Sequence, residues 1–312
     1  MIEVVTDTFN HLYEGYLWTL SIADERVADW LLMQSPLPTL GLVVLYLFSI
    51  WSGMKIMKNR EPFQLRWAIF SYNLALVILN WHICSELFSA SWKLNYSYSC
   101  QTVNYSYDPD EMRIAKALWW YYFSKCIEFL DTIFFVMRKK NNQVSFLHVY
   151  HHATMFPIWW IGVKWVAGGQ SFMGAMINSF IHVVMYTYYG VAALGPEYQK
   201  YLWWKKYLTK LQLIQFVVGM AHAAQSLLLQ CPFPLWMQVA LILYGGSILG
   251  LFLNFYFHAY IKSKRDKQYK TLHTNGKGDT NEGHINQNGH STNGHVKNGY
   301  IKNGHMASKK EQ

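Results

Sequence analysis

Three histidines, His148, His151 and His152, lie together in an apolar stretch over residues 145–165. On a helix the spacing i, i+3, i+4 places all three rings on one face. Polar rings are costly in lipid, so this face should be turned toward other helices, a ligand or water. Imidazole binds metals, and near neutral pH it acts as a nucleophile or general base. The histidines therefore predict a reactive site with two chemistries open.

Polar side chains form three further stripes in apolar segments. An ionised group at mid-membrane costs roughly 2.5 to 3.5 kcal/mol, so these stripes are unlikely to face lipid. The stripes comprise Lys125, Glu128, Asp131 and Thr132; Asn178, His182, Tyr186 and Tyr189; and Thr209, Gln212 and Gln215. Single amides and hydroxyls could instead join helices by hydrogen bonds, and Lys125 with Glu128 could be a structural i, i+3 pair.

The composition is that of a membrane protein. Of 312 residues, 52% are hydrophobic and only 14% charged, against roughly 25% charged in soluble domains. From residue 261 onward ten Lys and Arg face four Asp and Glu, which places +6 of the formal charge of +9 in the tail. A basic surface that binds nucleic acid is therefore a poor interpretation.

Seven apolar runs are long enough to span a membrane, at about 20 residues each. We predict an all-α polytopic membrane protein with helices over residues 37–57, 65–88, 112–137, 145–165, 170–194, 206–229 and 235–260. Residues 1–36 form a surface or interfacial segment, and residues 37–260 the catalytic transmembrane domain. Residues 261–312, rich in Asn, Gly and Lys, are predicted to be a disordered tail.

The loops predict the orientation. Successive loops lie on opposite sides of the membrane. The loops of one side carry eleven Lys and Arg, and those of the other side, with the amino-terminal segment, carry three. The positive-inside rule therefore places the amino terminus in the lumen and the tail in the cytosol. The sequons at Asn95 and Asn104 fall in a lumenal loop, which favours glycosylation there. Lys309 and Lys310, at positions minus four and minus three of the cytosolic tail, form a dilysine signal for the endoplasmic reticulum.

Two cysteines fall in lumenal loops. Cys100 lies between the second and third helices and Cys231 between the sixth and seventh. An oxidising lumen permits a disulfide between them, although two unpaired thiols are the alternative. The same topology places all four polar stripes in the cytosolic half of the bundle, and this convergence is stronger evidence for a site than any one motif.

The histidines could serve either of two chemistries: acyl transfer, with histidine as nucleophile or base, or the binding of a metal. His-x-x-His-His is one of the boxes of membrane di-iron desaturases, but such sites need about eight nitrogens and only His182 is well placed to join the three. A single zinc on these four residues is not excluded by count, although the rings of neighbouring His151 and His152 diverge. We therefore favour acyl transfer without a metal.

Within acyl transfer, the Cys126 thiol is the alternative nucleophile. It points away from the polar stripe, so histidine is favoured as the nucleophile. Asp131 or Glu128 would raise the basicity of that histidine.

The four stripes resemble the ordered signature motifs of the ELO-type fatty-acid elongases, the 3-ketoacyl-CoA synthases. The likeness covers about residues 20–262 and includes all four motifs in order and spacing. Segments 21–24, 33–36 and 165–169 most resemble a branch that extends very long saturated and polyunsaturated chains.

This resemblance implies that the protein condenses a long- or very-long-chain acyl-CoA with malonyl-CoA, without a bound cofactor. It implies that His151 carries the acyl group, with His148, His152 and His182 in proton transfer and positioning. It also implies that the last six helices form an inverted barrel around a closed acyl tunnel. Contacts to phosphates, pantetheine or thioester are expected from Lys125, Asn178, Tyr186, Tyr189, Thr209, Gln212 and Gln215. Cytosolic Arg138, Lys139 and Lys140 would attract the anionic CoA esters.

The resemblance implies partners as well. These are membrane lipid, a 3-ketoacyl-CoA reductase, a 3-hydroxyacyl-CoA dehydratase and an enoyl-CoA reductase, with a homo-oligomer or a hetero-oligomer with other elongases also expected. Phe172, Met173 and Met176, toward the lumenal end, should limit the length of the chain. A lipid carrier or receptor with seven helices shares the topology but does not explain four polar stripes at one depth.

Overall fold

The computed structural model describes residues 2–262 and Arg265. Within that part the regular secondary structure is entirely helical, with no strand. The predicted disorder of the tail and the dilysine pair Lys309 and Lys310 lie outside the described residues. The helices are α1 (Ile2–Ser21), α2 (Pro36–Met57), α3 (Arg66–Lys93), α4 (Pro109–Ile127), α5 (Phe129–Met137), α6 (Phe146–Val166), α7 (Ser171–Ala193), α8 (Lys205–Leu228) and α9 (Leu235–Tyr256). A π-helical segment, Phe257–Lys262, continues α9.

Four helices in the described part are long and apolar enough to cross a membrane: α2, α3, α8, and α9 with its π-helical continuation. They match four of the seven predicted spans. The other three predicted spans, 112–137, 145–165 and 170–194, contain the charged residues and histidines of the polar stripes, which lower their hydropathy. The chain is a multi-pass membrane protein, and most of its candidate site lies on helices outside this group of four.

The prediction of one uninterrupted helix over residues 112–137 was wrong, because the chain breaks at Glu128 between α4 and α5. Glu128 has φ −63° and ψ −14°, and the Asp131 amide donates to the Glu128 carbonyl only three residues back. This tighter turn departs from α-helical hydrogen bonding. The break falls inside the charged stripe, so the stripe spans two helices.

Helix starts are set by local capping. Ser35 accepts a hydrogen bond from the Leu37 amide, and Pro36 occupies the first position of α2, where its missing N–H costs nothing. Ser145 accepts from the His148 amide at the start of α6, which fixes the histidines in the first two turns of that helix.

The helices pack in groups around a buried core. The α3 helix packs along α7 and α4, α2 packs against α5 and α6, and α8 pairs with α9. Ring stacking contributes to the core beneath the histidines: Tyr122 lies on Phe156 with centroids 4.7 Å apart, and Tyr46 lies on Phe129 at 4.3 Å. This packing brings α2, α4, α5, α6 and α7 together around the polar residues.

A second charged cluster lies at the far end of α6 from the histidines. We call it the Arg26 cluster, formed by Asp24, Arg26, Tyr96, Asn104 and Glu111. Arg26 pairs with Asp24 at 2.7 Å and donates to the backbone carbonyls of residues 104 and 167. Tyr96 donates to Glu111, and burial together with this hydrogen bond raises the pKa of Tyr96. The cluster ties the segment before α2 to the loops after α3 and α6.

Candidate active site

The histidine box lies at the beginning of α6 with its rings close together. The ring centroids of His148 and His152 are 4.4 Å apart, and those of His151 and His152 are 5.2 Å apart. His152 is buried, whereas His148 and His151 are partly exposed. Phe135 of α5 packs against His148 with centroids 5.2 Å apart. The box is therefore a tight group of rings facing α5.

Charged residues of α4 meet α7 in what we call the Glu128 cluster: Lys125, Glu128, Asn178 and His182. Glu128 Oε1 accepts a hydrogen bond from Lys125 Nζ at 2.8 Å and lies 3.2 Å from His182 Nδ1. Lys125 Nζ also donates to Asn178 Oδ1 at 3.4 Å. Lys125 and Glu128 are almost fully buried. Two of the predicted stripes are thus joined through one carboxylate.

Sequence reasoning missed Tyr121 as a member of this environment. Its hydroxyl donates to Asn178 Oδ1 at 2.6 Å, and Lys125 Nζ lies 4.4 Å from the centre of its ring. Tyr121 precedes Lys125 by four residues, so it shares the helix face with the charged stripe. That spacing could have identified it, but the run Trp-Trp-Tyr-Tyr-Phe around it resembles ordinary core.

Asp131 of α5 is held by α7. The Tyr186 hydroxyl donates to Asp131 Oδ2 at 2.9 Å, and Tyr186 is fully buried. Tyr189 packs edge-on against Tyr186 with centroids 6.2 Å apart, but it is 39% exposed. The two predicted tyrosines therefore pack against each other, but only Tyr186 is hydrogen-bonded to the Asp131 carboxylate.

Thr132 connects the histidine box to α2. Its Oγ1 lies 2.8 Å from His148 Nε2 and 2.8 Å from the Tyr46 hydroxyl. Tyr46 was not predicted as a site residue, because its surroundings in α2 are apolar and a lone tyrosine there gives no periodic signal.

The α8 stripe is not hydrogen-bonded to the histidines. Thr209 Oγ1 donates to the Lys205 carbonyl at 3.2 Å and lies 3.3 Å from the Tyr260 hydroxyl. Gln212 Nε2 donates to Met185 Sδ at 3.4 Å. Gln215 Oε1 is buried, with no hydrogen-bond partner among the described residues.

The basic residues Arg138, Lys139 and Lys140 follow α5 directly, within ten residues of the histidine box along the chain. Lys139 has φ +53°, and its Nζ donates to the Lys58 carbonyl at the end of α2. A positively charged rim therefore lies at the same end of α5 and α6 as the histidines, suited to attract an anionic ligand.

Several groups in the site are left without partners. Glu128 Oε2 is buried and accepts no hydrogen bond from the described residues. Within residues 2–262 the side chains of His151 and His152 make ring contacts only, whereas His148 and His182 are both engaged. Both rings therefore keep free nitrogens, and His151 is the more exposed of the two. Glu128 with His182 forms a carboxylate–imidazole pair suited to proton transfer.

Across the described part of the chain, no group of three or more His, Cys, Asp or Glu side chains is arranged to hold a metal ion. The thiols of Cys84 and Cys126 are free and partly buried. Cys126 packs against the hydrophobic core.

The remaining predicted residues lie away from the histidines. Cys100 and Cys231 are joined by a disulfide, which links the loop after α3 to the turn between α8 and α9. Asn95 is exposed with φ +53°. The Asn104 amide donates to Glu111 Oε1 at 3.3 Å, so this side chain is part of the Arg26 cluster.

Comparison with known proteins agrees with the motifs. The family model described as "ELO: GNS1/SUR4 family" matches residues 31–268. The chain is 59% identical over 276 residues to very long chain fatty acid elongase 4 of Mus musculus, covering 88% of each chain. The human elongase 4 is 59% identical over 271 residues, covering 87% of this chain and 86% of its own. Mouse elongase 2 is 49% identical over 251 residues, 80% of this chain and 85% of its own. The chain therefore belongs to the ELO family and is an enzyme of fatty acid elongation.

Proposed function

We propose that this protein is the condensing enzyme of very-long-chain fatty acid elongation. It joins an acyl-CoA to malonyl-CoA and releases CO2, CoA and a 3-ketoacyl-CoA longer by two carbons. The observation that carries this proposal is the histidine box beside a buried Lys125–Glu128–His182 group, in a chain of the elongase family. Buried charges in a membrane helix mark a functional site by default.

In the first half-reaction, a ring nitrogen of His151 attacks the thioester carbonyl of the acyl-CoA. The carbon–sulfur bond breaks and the CoA thiolate leaves, taking up a proton. The result is an acyl-imidazole. His151 suits this step because its side chain is partly exposed and, within residues 2–262, makes no hydrogen bond that would occupy a lone pair.

In the second half-reaction, malonyl-CoA loses CO2 and the carbanion that forms attacks the acyl-imidazole carbonyl. The carbon–nitrogen bond breaks, the departing His151 nitrogen takes up a proton from the neighbouring histidines, and the 3-ketoacyl-CoA leaves. We assign proton transfer and positioning to His148, His152 and His182, with Glu128 and Asp131 as the carboxylates that orient this proton network. A cation such as Lys125 would stabilise negative charge that develops on a thioester oxygen.

Substrate contacts are assigned to the remaining polar residues. Tyr186, Tyr189 and Asn178 lie on the α7 face that adjoins the Glu128 cluster. Gln212, Gln215 and Thr209 would contact the pantetheine arm or the thioester from α8, where Gln215 Oε1 is free to accept a hydrogen bond. The rim of Arg138, Lys139 and Lys140 would hold the CoA phosphates.

The membrane arrangement proposed with this function has seven transmembrane helices. The last six form an inverted barrel around a closed acyl tunnel. The amino terminus is lumenal and the carboxyl terminus cytosolic in the endoplasmic reticulum, with glycans at Asn95 and Asn104. The Cys100–Cys231 disulfide, which suits an oxidising compartment, supports this orientation.

We further propose very-long-chain acyl-CoAs as substrates, because the similar proteins are named very long chain fatty acid elongases. That these include saturated and polyunsaturated chains is proposed from the resemblance of segments 21–24, 33–36 and 165–169. The 3-keto product must be reduced, dehydrated and reduced again. We therefore propose the 3-ketoacyl-CoA reductase, 3-hydroxyacyl-CoA dehydratase and enoyl-CoA reductase as partners, and oligomers with copies of itself or with other elongases.

The experiment uses detergent-purified protein with a panel of long-chain acyl-CoAs and labelled malonyl-CoA, without NADPH, and follows products by mass spectrometry. Wild type should accumulate labelled 3-ketoacyl-CoA, and His151→Ala should not. His258→Ala is the matched control, because His258 is exposed beyond α9 and bonds to the Asn254 carbonyl. Wild-type protein that makes no 3-ketoacyl-CoA, together with bound iron in metal analysis, would contradict the proposal and favour desaturase-like chemistry.

A further inference from the structure

A buried chain of hydrogen bonds joins α2 to the first histidine of the box. We call it the Tyr46 relay, formed by Tyr46, Thr132 and His148. Thr132 Oγ1 lies 2.8 Å from the Tyr46 hydroxyl and 2.8 Å from His148 Nε2. Tyr46 is 3% exposed and Thr132 is fully buried. Water therefore has little access to the two hydroxyl groups, and each must find its partners within the protein.

The two hydrogen bonds of this relay run in one direction, from Tyr46 toward His148. Among the described residues, the Tyr46 hydroxyl has Thr132 as its hydrogen-bond partner, and its ring is stacked on Phe129. A buried donor left unpaired in apolar surroundings is costly, so Tyr46 donates its one hydrogen to Thr132. A threonine hydroxyl has one hydrogen to give and two lone pairs to accept with. The Thr132 hydrogen is therefore directed to His148 Nε2.

This direction fixes the protonation of His148. A neutral imidazole carries its hydrogen on one nitrogen, and the partner of one nitrogen determines the state of the other. Because Nε2 accepts from Thr132, the hydrogen is on Nδ1. We propose that Tyr46 and Thr132 are positioning residues that hold His148 in the Nδ1-protonated form, so that His148 donates a hydrogen bond during condensation and does not carry the acyl group.

The functional part of this inference rests on the proposed condensation. With its Nε2 lone pair occupied and its Nδ1 protonated, His148 has no free lone pair with which to attack a thioester. Within residues 2–262 the rings of His151 and His152 make no hydrogen bond, so the relay separates the box into one fixed donor and two free imidazoles. This separation is absent from the sequence, in which the three histidines look equivalent.

The protein contains a matched control for the relay. The Tyr122 hydroxyl lies 2.6 Å from Thr39 Oγ1, both residues are buried, and the Tyr122 ring is stacked on Phe156. This second tyrosine–threonine pair also involves α2, but it reaches no histidine. Tyr122→Phe therefore removes a similar buried hydrogen bond without altering the relay.

The test measures the state of His148 directly. Protein labelled with ¹⁵N-histidine is purified in detergent, and the nitrogen signals of His148 are assigned by subtracting the spectrum of His148→Gln. Wild type, Thr132→Ser and Tyr122→Phe should show protonated Nδ1 and unprotonated Nε2. In Thr132→Val, His148 should lose this preference. In Tyr46→Phe the Nδ1-protonated form should persist with a weaker hydrogen bond to Nε2, because Thr132 still has only His148 to donate to among the described residues but has lost the donor that polarised its hydroxyl.

Activity gives the second readout. We expect Thr132→Val to lower kcat about 100-fold, within the range for loss of a positioned acid or base. Tyr46→Phe should lower kcat about 2- to 10-fold, as expected for one hydrogen bond. The KM for acyl-CoA should stay unchanged in both. Thr132→Ser should restore most of the activity that Thr132→Val loses. If Thr132→Val fails to fold, Tyr46→Phe and Thr132→Ser still decide the question.

Either of two results would overturn the proposal: wild-type His148 protonated on Nε2, or a fall in kcat for Tyr122→Phe as large as that for Tyr46→Phe. Failure of the proposed function is distinguishable from both. In that case wild-type protein makes no 3-ketoacyl-CoA, while the nitrogen signals still report the form of His148.

Discussion

The Arg26 cluster and the Glu128 cluster both bury opposite charges, but they differ in how completely those charges are paired. The Arg26 guanidinium donates to both carboxylate oxygens of Asp24 and to three backbone carbonyls. Each Glu111 carboxylate oxygen also has a donor. In the Glu128 cluster one carboxylate oxygen bonds to Lys125 and lies next to His182, whereas the other has no partner among the described residues.

This difference indicates different roles for the two clusters. A buried charged group that is fully hydrogen-bonded fixes loops in place, and removing one partner leaves an uncompensated charge. A cluster with an orphaned carboxylate oxygen, beside the unbonded imidazoles of the histidine box, keeps bonding capacity for a substrate. We therefore infer that the Arg26 cluster is architectural and that the Glu128 cluster takes part in the chemistry.

The largest effect is expected from Glu128→Gln. This change keeps the shape of the side chain but removes the charge that pairs with Lys125 and faces His182. We expect the rate of 3-ketoacyl-CoA formation to fall at least about 100-fold, and the Tm in detergent to fall as well because Lys125 is left as a buried unpaired cation.

The double variant Lys125→Met with Glu128→Gln separates these two effects. With both charges removed, the Tm should recover toward that of wild type, since a buried ion pair contributes little net stability, while the activity stays low. A double variant that recovers activity together with Tm would show that the pair only supports the fold.

Arg26→Met should have the opposite profile. It leaves Asp24 buried without its cation, so we expect a loss of about 3–5 kcal/mol in the free energy of unfolding, measured as a fall in Tm by intrinsic fluorescence. The kcat of the folded fraction at low temperature should stay within about twofold of wild type, because no group near the histidines changes. A selective loss of kcat at unchanged Tm would contradict the division of roles.

Removing the disulfide should resemble Arg26→Met with a smaller effect. Cys100 and Cys231 are 131 residues apart in sequence, and loss of a native disulfide typically costs about 2–5 kcal/mol. Cys100→Ser with Cys231→Ser should therefore lower Tm while product formation at low temperature is retained. Cys84→Ser, at a free cysteine, is the control and should change neither quantity.

The smallest effect concerns product length. Met176 of α7 is partly buried and packs against the core, six residues before His182. If the acyl chain passes this side of α7, Met176→Trp should shorten the longest product by about one or two elongation cycles without lowering the rate for shorter substrates. Phe180→Trp, on the exposed face of the same helix, should leave product length unchanged. Equal product lengths in both variants would contradict a tunnel beside α7.

Much of the fold followed from hydrophobic length and periodicity. The boundaries predicted for α2, α6, α7 and α8 lie within a few residues of those observed, because long apolar runs bounded by charged or Pro-containing loops determine them. The break at Glu128 could not be predicted in this way. It depends on a single tight turn, and neither Pro nor Gly marks it in the sequence.

The site was predictable where polar residues interrupt apolar segments and not where aromatic residues support them. Lys125, Glu128, Asn178 and His182 were expected on facing helices and are in contact. Tyr46 and Tyr121 were missed because a hydroxyl on an aromatic ring in an aromatic-rich helix looks like core. Which histidine is bonded depends on the approach of α5 to α6, and this is a tertiary property that helical spacing does not contain.

The most direct test of His151 as the acyl carrier is intact-protein mass spectrometry of purified enzyme given acyl-CoA alone, without malonyl-CoA. Wild type should gain the mass of one acyl group and release one equivalent of CoA. His151→Ala should do neither, while Cys126→Ala should still do both. An adduct that persists in His151→Ala, or one that disappears in Cys126→Ala, would contradict the assignment of His151 as the acyl carrier.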